Sequence, residues 1–154
     1  MKYQSVDSLE HFSFDQAAIF DVDYTSSHLK LQLANVTILS SNEHNQDIMD
    51  MRTNDLILTF EEPAILNTTE EGYKVYDANE QLLEEIPDRI LSQQEYISVI
   101  QELPKSFIYS IDVISANHCN IYIDASDDKN GYCIELTFQH SVAQWDRFLK
   151  KESV

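Results

Sequence analysis

His44 lies three residues before Asp47, a spacing that puts an imidazole and a carboxylate on one face of a helical turn, where they could bind a metal. No third ligand stands nearby in sequence, so the plainer reading is a surface histidine. The pair belongs to residues 40–54, which lack any period of two and carry Asn42, His44, Asn45, Asp47, Asp50 and Arg52. Polar connections of this length are often functional, which makes those six residues the candidate binding surface. A short surface helix with Ile48 and Met51 turned inward is the competing account. A second pair, Asp21 and Asp23, sits two residues apart, so that in an extended chain both carboxylates share a face. Neither Cys119 nor Cys133 has a basic neighbour in sequence that would lower its pKa, so nucleophilic catalysis by a thiol has no support.

The run Ile19-Phe20-Asp21-Val22-Asp23-Tyr24-Thr25 resembles the first motif of the haloacid dehalogenase superfamily of phosphotransferases. The resemblance implies Asp21 as nucleophile, Asp23 as general acid and base, and a magnesium ion to offset phosphate charge. It further implies Ser126-Asp127-Asp128 as a metal-binding motif, Lys105 as the phosphate-binding lysine, and a parallel sheet with a helix straight after the motif. Just beyond the motif, however, Leu29, Leu31 and Leu33 alternate in the pattern of a strand. Solvated carboxylates on a hairpin are then the simpler account of the pair. Ser126, Asp128 and Asn130, with Gly131 at the sixth position, resemble half of a calcium-binding loop. The twelfth position is Thr137 where a bidentate glutamate is required, so a hairpin tip explains the segment better. The order Phe12-Ser13-Phe14-Asp15-Gln16-Ala17, a short strand, a turn and a leucine-alternating strand resembles small β-rich bacterial domains of unassigned function. That likeness covers the first quarter of the chain and implies a fold class only.

The elements that must position these residues are strands. Residues 107–114 alternate, with Phe107, Tyr109, Ile111 and Val113 on the apolar side, and Cys119, Ile121 and Ile123 resume the pattern. Asn130-Gly131 predicts a two-residue turn that sets Ile123 opposite Phe138, so that Ile134, Leu136 and Phe138 join the buried face and His140 ends it. On this register the two cysteines lie on opposite faces, which predicts free thiols. Earlier in the chain, residues 19–24 and 29–33 form a hairpin through Ser26-Ser27, and a change of parity at Ala34-Asn35 predicts a bulge before Val36 and Ile38. Residues 55–60 predict a strand, and residues 73–86 a hairpin around Asp77-Ala78-Asn79-Glu80. Ser92-Gln93-Gln94-Glu95 forms a capping box that starts a helix at Gln93, closed by Pro104. Val142, Trp145, Phe148 and Leu149 predict a short C-terminal helix with Lys150 and Lys151 at its negative end.

The expectation is one domain over residues 1–154, α+β and mainly β. It is an antiparallel sheet of about seven to nine strands curled into a sandwich or open barrel, with one central and one C-terminal helix. With 27 acidic against 10 basic residues the formal charge is −17, and residues 40–104 alone hold 15 acids against Arg52, Lys74 and Arg89, a balance of −12. Phosphate affinity rests on clustered Lys and Arg, so nucleic acid and anionic membrane are disfavoured as partners. Residues 1–12 lack the basic start and apolar stretch of a secretory signal, which points to the cytoplasm. Neither a cofactor nor a resident metal is expected, and the oligomeric state is left open. The function these features favour is non-catalytic binding of a basic protein partner, as immunity or inhibitor proteins do. Magnesium-dependent phosphatase chemistry through Asp21 and Asp23 is the alternative, and a ligand pocket lined by Tyr73, Tyr76, Tyr109 and Tyr122 a third.

Overall fold

A computed structural model describes residues 1–125 and 131–150. The first half contains β1 (Tyr3–Val6), β2 (Phe12–Ser13), β3 (Ala17–Tyr24), β4 (His28–Ala34), β5 (Val36–Ile38), β6 (Met51–Thr53), β7 (Leu56–Glu61) and β8 (Ala64–Glu70). Then come β9 (Tyr73–Tyr76), β10 (Leu82–Ile86), β11 (Arg89–Ile90), α1 (Gln93–Gln101), β12 (Phe107–Ser115), β13 (His118–Asp124), β14 (Gly131–Thr137), β15 (His140–Trp145) and β16 (Leu149–Lys150). The described residues thus form sixteen strands and one α-helix, mainly antiparallel β, where seven to nine strands were expected.

Period-two alternation builds the centre. Leu29, Leu31 and Leu33 of β4 face Phe60, Leu58 and Leu56 of β7, and all six are fully buried. At the tip of the β3–β4 hairpin the Thr25 amide donates to the His28 carbonyl, while Thr25 Oγ1 accepts from the amides of Ser27 and His28. The large sheet has the order β1, β15, β7, β4, β3, β12, β13, β14, β8, β11, with every pairing antiparallel. β3 and β12 share only Ala18–Phe107 and Ala17–Ile108, so the sheet is two five-stranded blades meeting at a narrow seam. Helix α1 packs against β3, its Ser92 Oγ accepting from the Glu95 amide and the Glu95 carboxylate accepting from the Ser92 amide. Its inward face contributes Ile100, and Leu103 beyond its end is buried as well.

A second sheet has the order β16, β6, β5, β2. Asn35, with φ of 60°, is where the chain leaves one sheet for the other: the parity change read as a bulge is a change of sheet. The third sheet is β9 and β10 alone, every residue of both strands exposed. None of the sheets closes on itself.

Three expectations are corrected. Residues 140–145 form a strand, β15, inserted between β1 and β7, in place of a C-terminal helix. Its buried set is Ser141, Ala143 and Trp145, a period of two in which the small residues escape a search for apolar spacing. His140 accordingly opens this strand, exposed, with Nδ1 2.7 Å from the Asp7 carboxylate. Next, β13 and β14 pair Ile121 with Ile134 and Ile123 with Tyr132, so Ile123 does not face Phe138. Gly131 lies in strand β14 without a positive φ, and Asn130 and the rest of the expected turn fall outside the described residues. The offset from the expected register is even, so the faces survive: Cys119, Ile121, Ile123, Ile134 and Leu136 are buried together, and both cysteines are free thiols. Finally, on β12 Ile108 is buried while Phe107, Tyr109 and Val113 are exposed. A bulge between Ile108 and Ser110 leaves Tyr109 unpaired and switches parity, so that Ile108 faces Ile123 and Ile111 faces Ile121.

Candidate functional site

Asp21 and Asp23 stand on the exposed side of β3, opposite Gln32 and Lys30 of β4. Gln32 Nε2 donates to Asp21 Oδ2 over 3.4 Å, and His28 Nε2 lies 2.8 Å from Asp23 Oδ2. Asp23 also borders a hollow of about 520 Å³ between residues 22–26 and Ile97, Ile100 and Gln101 of α1. The strand is followed by an antiparallel neighbour, and the described sheets contain no parallel pair, whereas the phosphotransferase resemblance implies parallel strands and a helix directly after the motif. Lys105 is exposed and bonds through its amide to the Ile19 carbonyl at 2.8 Å. Ser126, Asp127, Asp128 and Asn130 lie outside the described residues.

Residues 40–54 carry no helix up to β6, and Ile48 is 94% exposed. The loop is held by its own polar side chains. Buried Asn45 donates from Nδ2 to the carbonyls of Ile38, Leu39 and Met49, and its Oδ1 accepts from the Asp47 amide. Asn42, also buried, receives the His44 amide and reaches Ser5 Oγ at 3.5 Å. Asp50 accepts from the Ser40 amide, and Arg52 is carried on β6. Where a loop turns backbone groups inward it must supply partners for them, and asparagine, with both a donor and an acceptor, does so. His44 and Asp47 are brought together at a cleft of about 320 Å³ with Tyr3, Asn45, Met51 and Phe148. His44 Nε2 lies 2.7 Å from the Gln4 carbonyl, and its ring packs edge-on against Trp145. Trp145, fully buried, also stacks on Tyr3 and meets Phe12 and Phe148 edge-on, so it is a core anchor on a strand. Among the described residues no group of three or more His, Cys, Asp or Glu could hold a metal.

The thiols are not activated. Burial, reinforced by Cys133, pushes Cys119 up to about 12, and burial likewise raises Cys133. The four tyrosines do not enclose a pocket, since Tyr73, Tyr76 and Tyr109 are exposed.

The surface that the sequence did not single out is the β9–β10 hairpin, a projecting arm. Its turn is set by Asp77, whose Oδ1 accepts from the amides of Asn79 and Gln81, and by Glu80 at φ 61°. Its root is fastened where Asp88 Oδ1 accepts from the Gly72 amide at 2.7 Å. Arg89 ties β11 to Glu70 of β8 and, at 2.6 Å, to Glu95 of α1. Acid crowds this root: partial loss of solvent around its carboxyl raises the Glu71 pKa, and the carboxylates of Asp88 and Asp124 push it in the same direction. The signal in the sequence was the lack of a clean period, since Tyr73-Lys74-Val75-Tyr76 and Leu82-Leu83-Glu84-Glu85-Ile86 place apolar residues on both faces. No protein-family model, curated protein or solved structure matches this chain.

Proposed function

We propose that this is a non-catalytic, cytoplasmic binding protein whose acidic middle section engages a basic protein partner, in the manner of an immunity or inhibitor protein. The observation that supports it is the placement of the acid. None of the 15 carboxylates between residues 40 and 104 is buried, and only Arg52, Lys74 and Arg89 oppose them within that stretch. Such a field attracts cationic surfaces over distances longer than any single contact. Among the described residues no helix is long and apolar enough to cross a membrane.

The test is the salt dependence of association with a basic probe protein, followed by stopped flow. The association rate is expected to fall by about tenfold or more from low to high ionic strength. A salt-insensitive rate refutes the electrostatic reading. The competing reading, phosphoryl transfer through Asp21 and Asp23, draws on the two carboxylates sharing one exposed face of β3. It requires magnesium-dependent phosphatase activity that Asp21→Asn abolishes.

A further inference from the structure

We propose that the β9–β10 arm is the docking element for that partner, and that the partner meets it with an apolar strand or ridge flanked by Lys or Arg. The proposal rests on the basic-partner reading and adds the place and the chemistry.

Six large apolar side chains on two short strands are exposed: Tyr73 at 52%, Tyr76 at 54% and Leu83 at 65%, with Val75, Leu82 and Ile86 beside them. Monomer surfaces scatter such residues singly, and a concentration on one element marks an interaction site. The register puts Tyr73, Val75, Glu84 and Ile86 on one face and Lys74, Tyr76, Leu82 and Glu85 on the other, with Leu83 in a bulge. Each face therefore offers apolar anchors and a carboxylate.

A two-stranded hairpin is marginal by itself in water. This one is pinned at its tip by Asp77 and at its root by Asp88, and the main packing partner of each strand is the other. It is pre-shaped, which lowers the ordering cost of binding.

Charge selects the occupant. Residues 73–86 hold Asp77, Glu80, Glu84 and Glu85 against Lys74. A second copy would bring the same acid on a chain of −17 and be repelled, whereas a basic segment gains both the field and the exposed faces of Tyr73 and Tyr76 for its cations.

The experiment uses the full chain and an alternating Lys-Val peptide as probe, with an alternating Glu-Val peptide as control. Affinity is read by anisotropy and the site by amide exchange. Leu83→Ser/Ile86→Ser removes anchors at constant charge, and Glu80→Gln/Glu84→Gln removes charge at near-constant shape; all four positions are exposed, and an unchanged melt confirms the fold. Both variants are expected to weaken Lys-Val binding by about tenfold, with arm amides slowed in the wild-type complex. If neither variant weakens binding of the Lys-Val peptide, the arm assignment fails and the basic-partner reading stands. If neither peptide binds at any salt concentration, both fail. Equal affinity for Glu-Val, or sedimentation showing a self-associated wild type that the anchor variant dissociates, overturns the assignment to a basic partner.

Discussion

The β4–β7 pair and the β9–β10 pair are both antiparallel ladders, and both carry leucines and aromatic rings. In the first, Leu29, Leu31 and Leu33 meet Phe60, Leu58 and Leu56 with no exposed apolar surface left. In the second, Tyr73, Tyr76, Leu82 and Leu83 remain in water. The difference lies in periodicity. A strict alternation gives a sheet one face to bury, and that face joins the buried core. Without that alternation the arm has no face to commit to the core, and its polar residues on both sides keep it outside. The interior pair is closed to solvent and the arm is open to it.

The largest effect that checks this contrast is a matched truncation. Leu31→Ala removes a fully buried side chain from a packed layer and is expected to cost about 2–5 kcal/mol in denaturant unfolding. Leu83→Ala is expected to stay within about 0.5 kcal/mol of the parent. A loss above about 2 kcal/mol at Leu83, the range of buried leucines, would mean that the arm packs on the body in solution. Next in size is Gly72→Ala at the arm root. A Cβ there would lie 1.9 Å from the Ile86 carbonyl oxygen and 2.5 Å from the Pro87 carbonyl carbon, so the two chain segments must separate. The expected cost is about 1–3 kcal/mol, with faster amide exchange confined to the arm. Parent-like exchange at residues 73–86 would show that the close crossing is absent.

The contrast also explains what could be read from the sequence. Local rules were legible: the leucine alternation of β4, the capping box at Ser92 and the Asp77 turn each depend on residues close in the chain. Non-local pairing was not. Residues 142–149 have apolar spacing compatible with a helix, and only the space between β1 and β7 makes Ser141, Ala143 and Trp145 a strand face. Asn130-Gly131 is a strong turn signal that overrode the apolar pairing of Ile121 with Ile134, yet the faces came out right because the error was even. At the candidate surface, Asn42 and Asn45 read as exposed because they are polar. They are buried because a compact loop needs side-chain partners for its own carbonyls and amides. The exposure of the arm is a tertiary fact, with no local signal beyond its broken period.

Smaller effects sharpen the contrast at the joints of each region. Ser92→Ala removes the acceptor for the Glu95 amide at the start of α1, beside the Arg89–Glu95 bond that steadies the arm root. The expected cost is about 1 kcal/mol, accompanied by fraying of the first helical turn in amide exchange. A neutral substitution would show that Glu95 and Arg89 hold the helix start without the cap.

The smallest effect belongs to the body, where Asp7, just past β1, meets His140 at the start of β15 over 2.7 Å. The hydrogen bond that Nδ1–H donates to Asp7, and then the Asp7 charge, raise the His140 pKa above the ordinary 6.5. Burial pushes Asp7 up, but the His140 hydrogen bond, the Ser141 amide and the imidazolium charge outweigh it and leave Asp7 below 3.8. The His140 contribution is therefore complete below pH 6.5 and fades as pH rises through its raised folded value. The Asp7 contribution is present above pH 3.8 and fades as pH falls through its lowered value. Between those limits the pair fastens the edge strand, and both side chains are too exposed for the effect on stability to be large. Imidazole titration by NMR should place the His140 midpoint above 6.5, and Asp7→Asn should bring it back down. A midpoint that ignores the substitution would mean that the His140–Asp7 pair takes no part in holding β1 to β15.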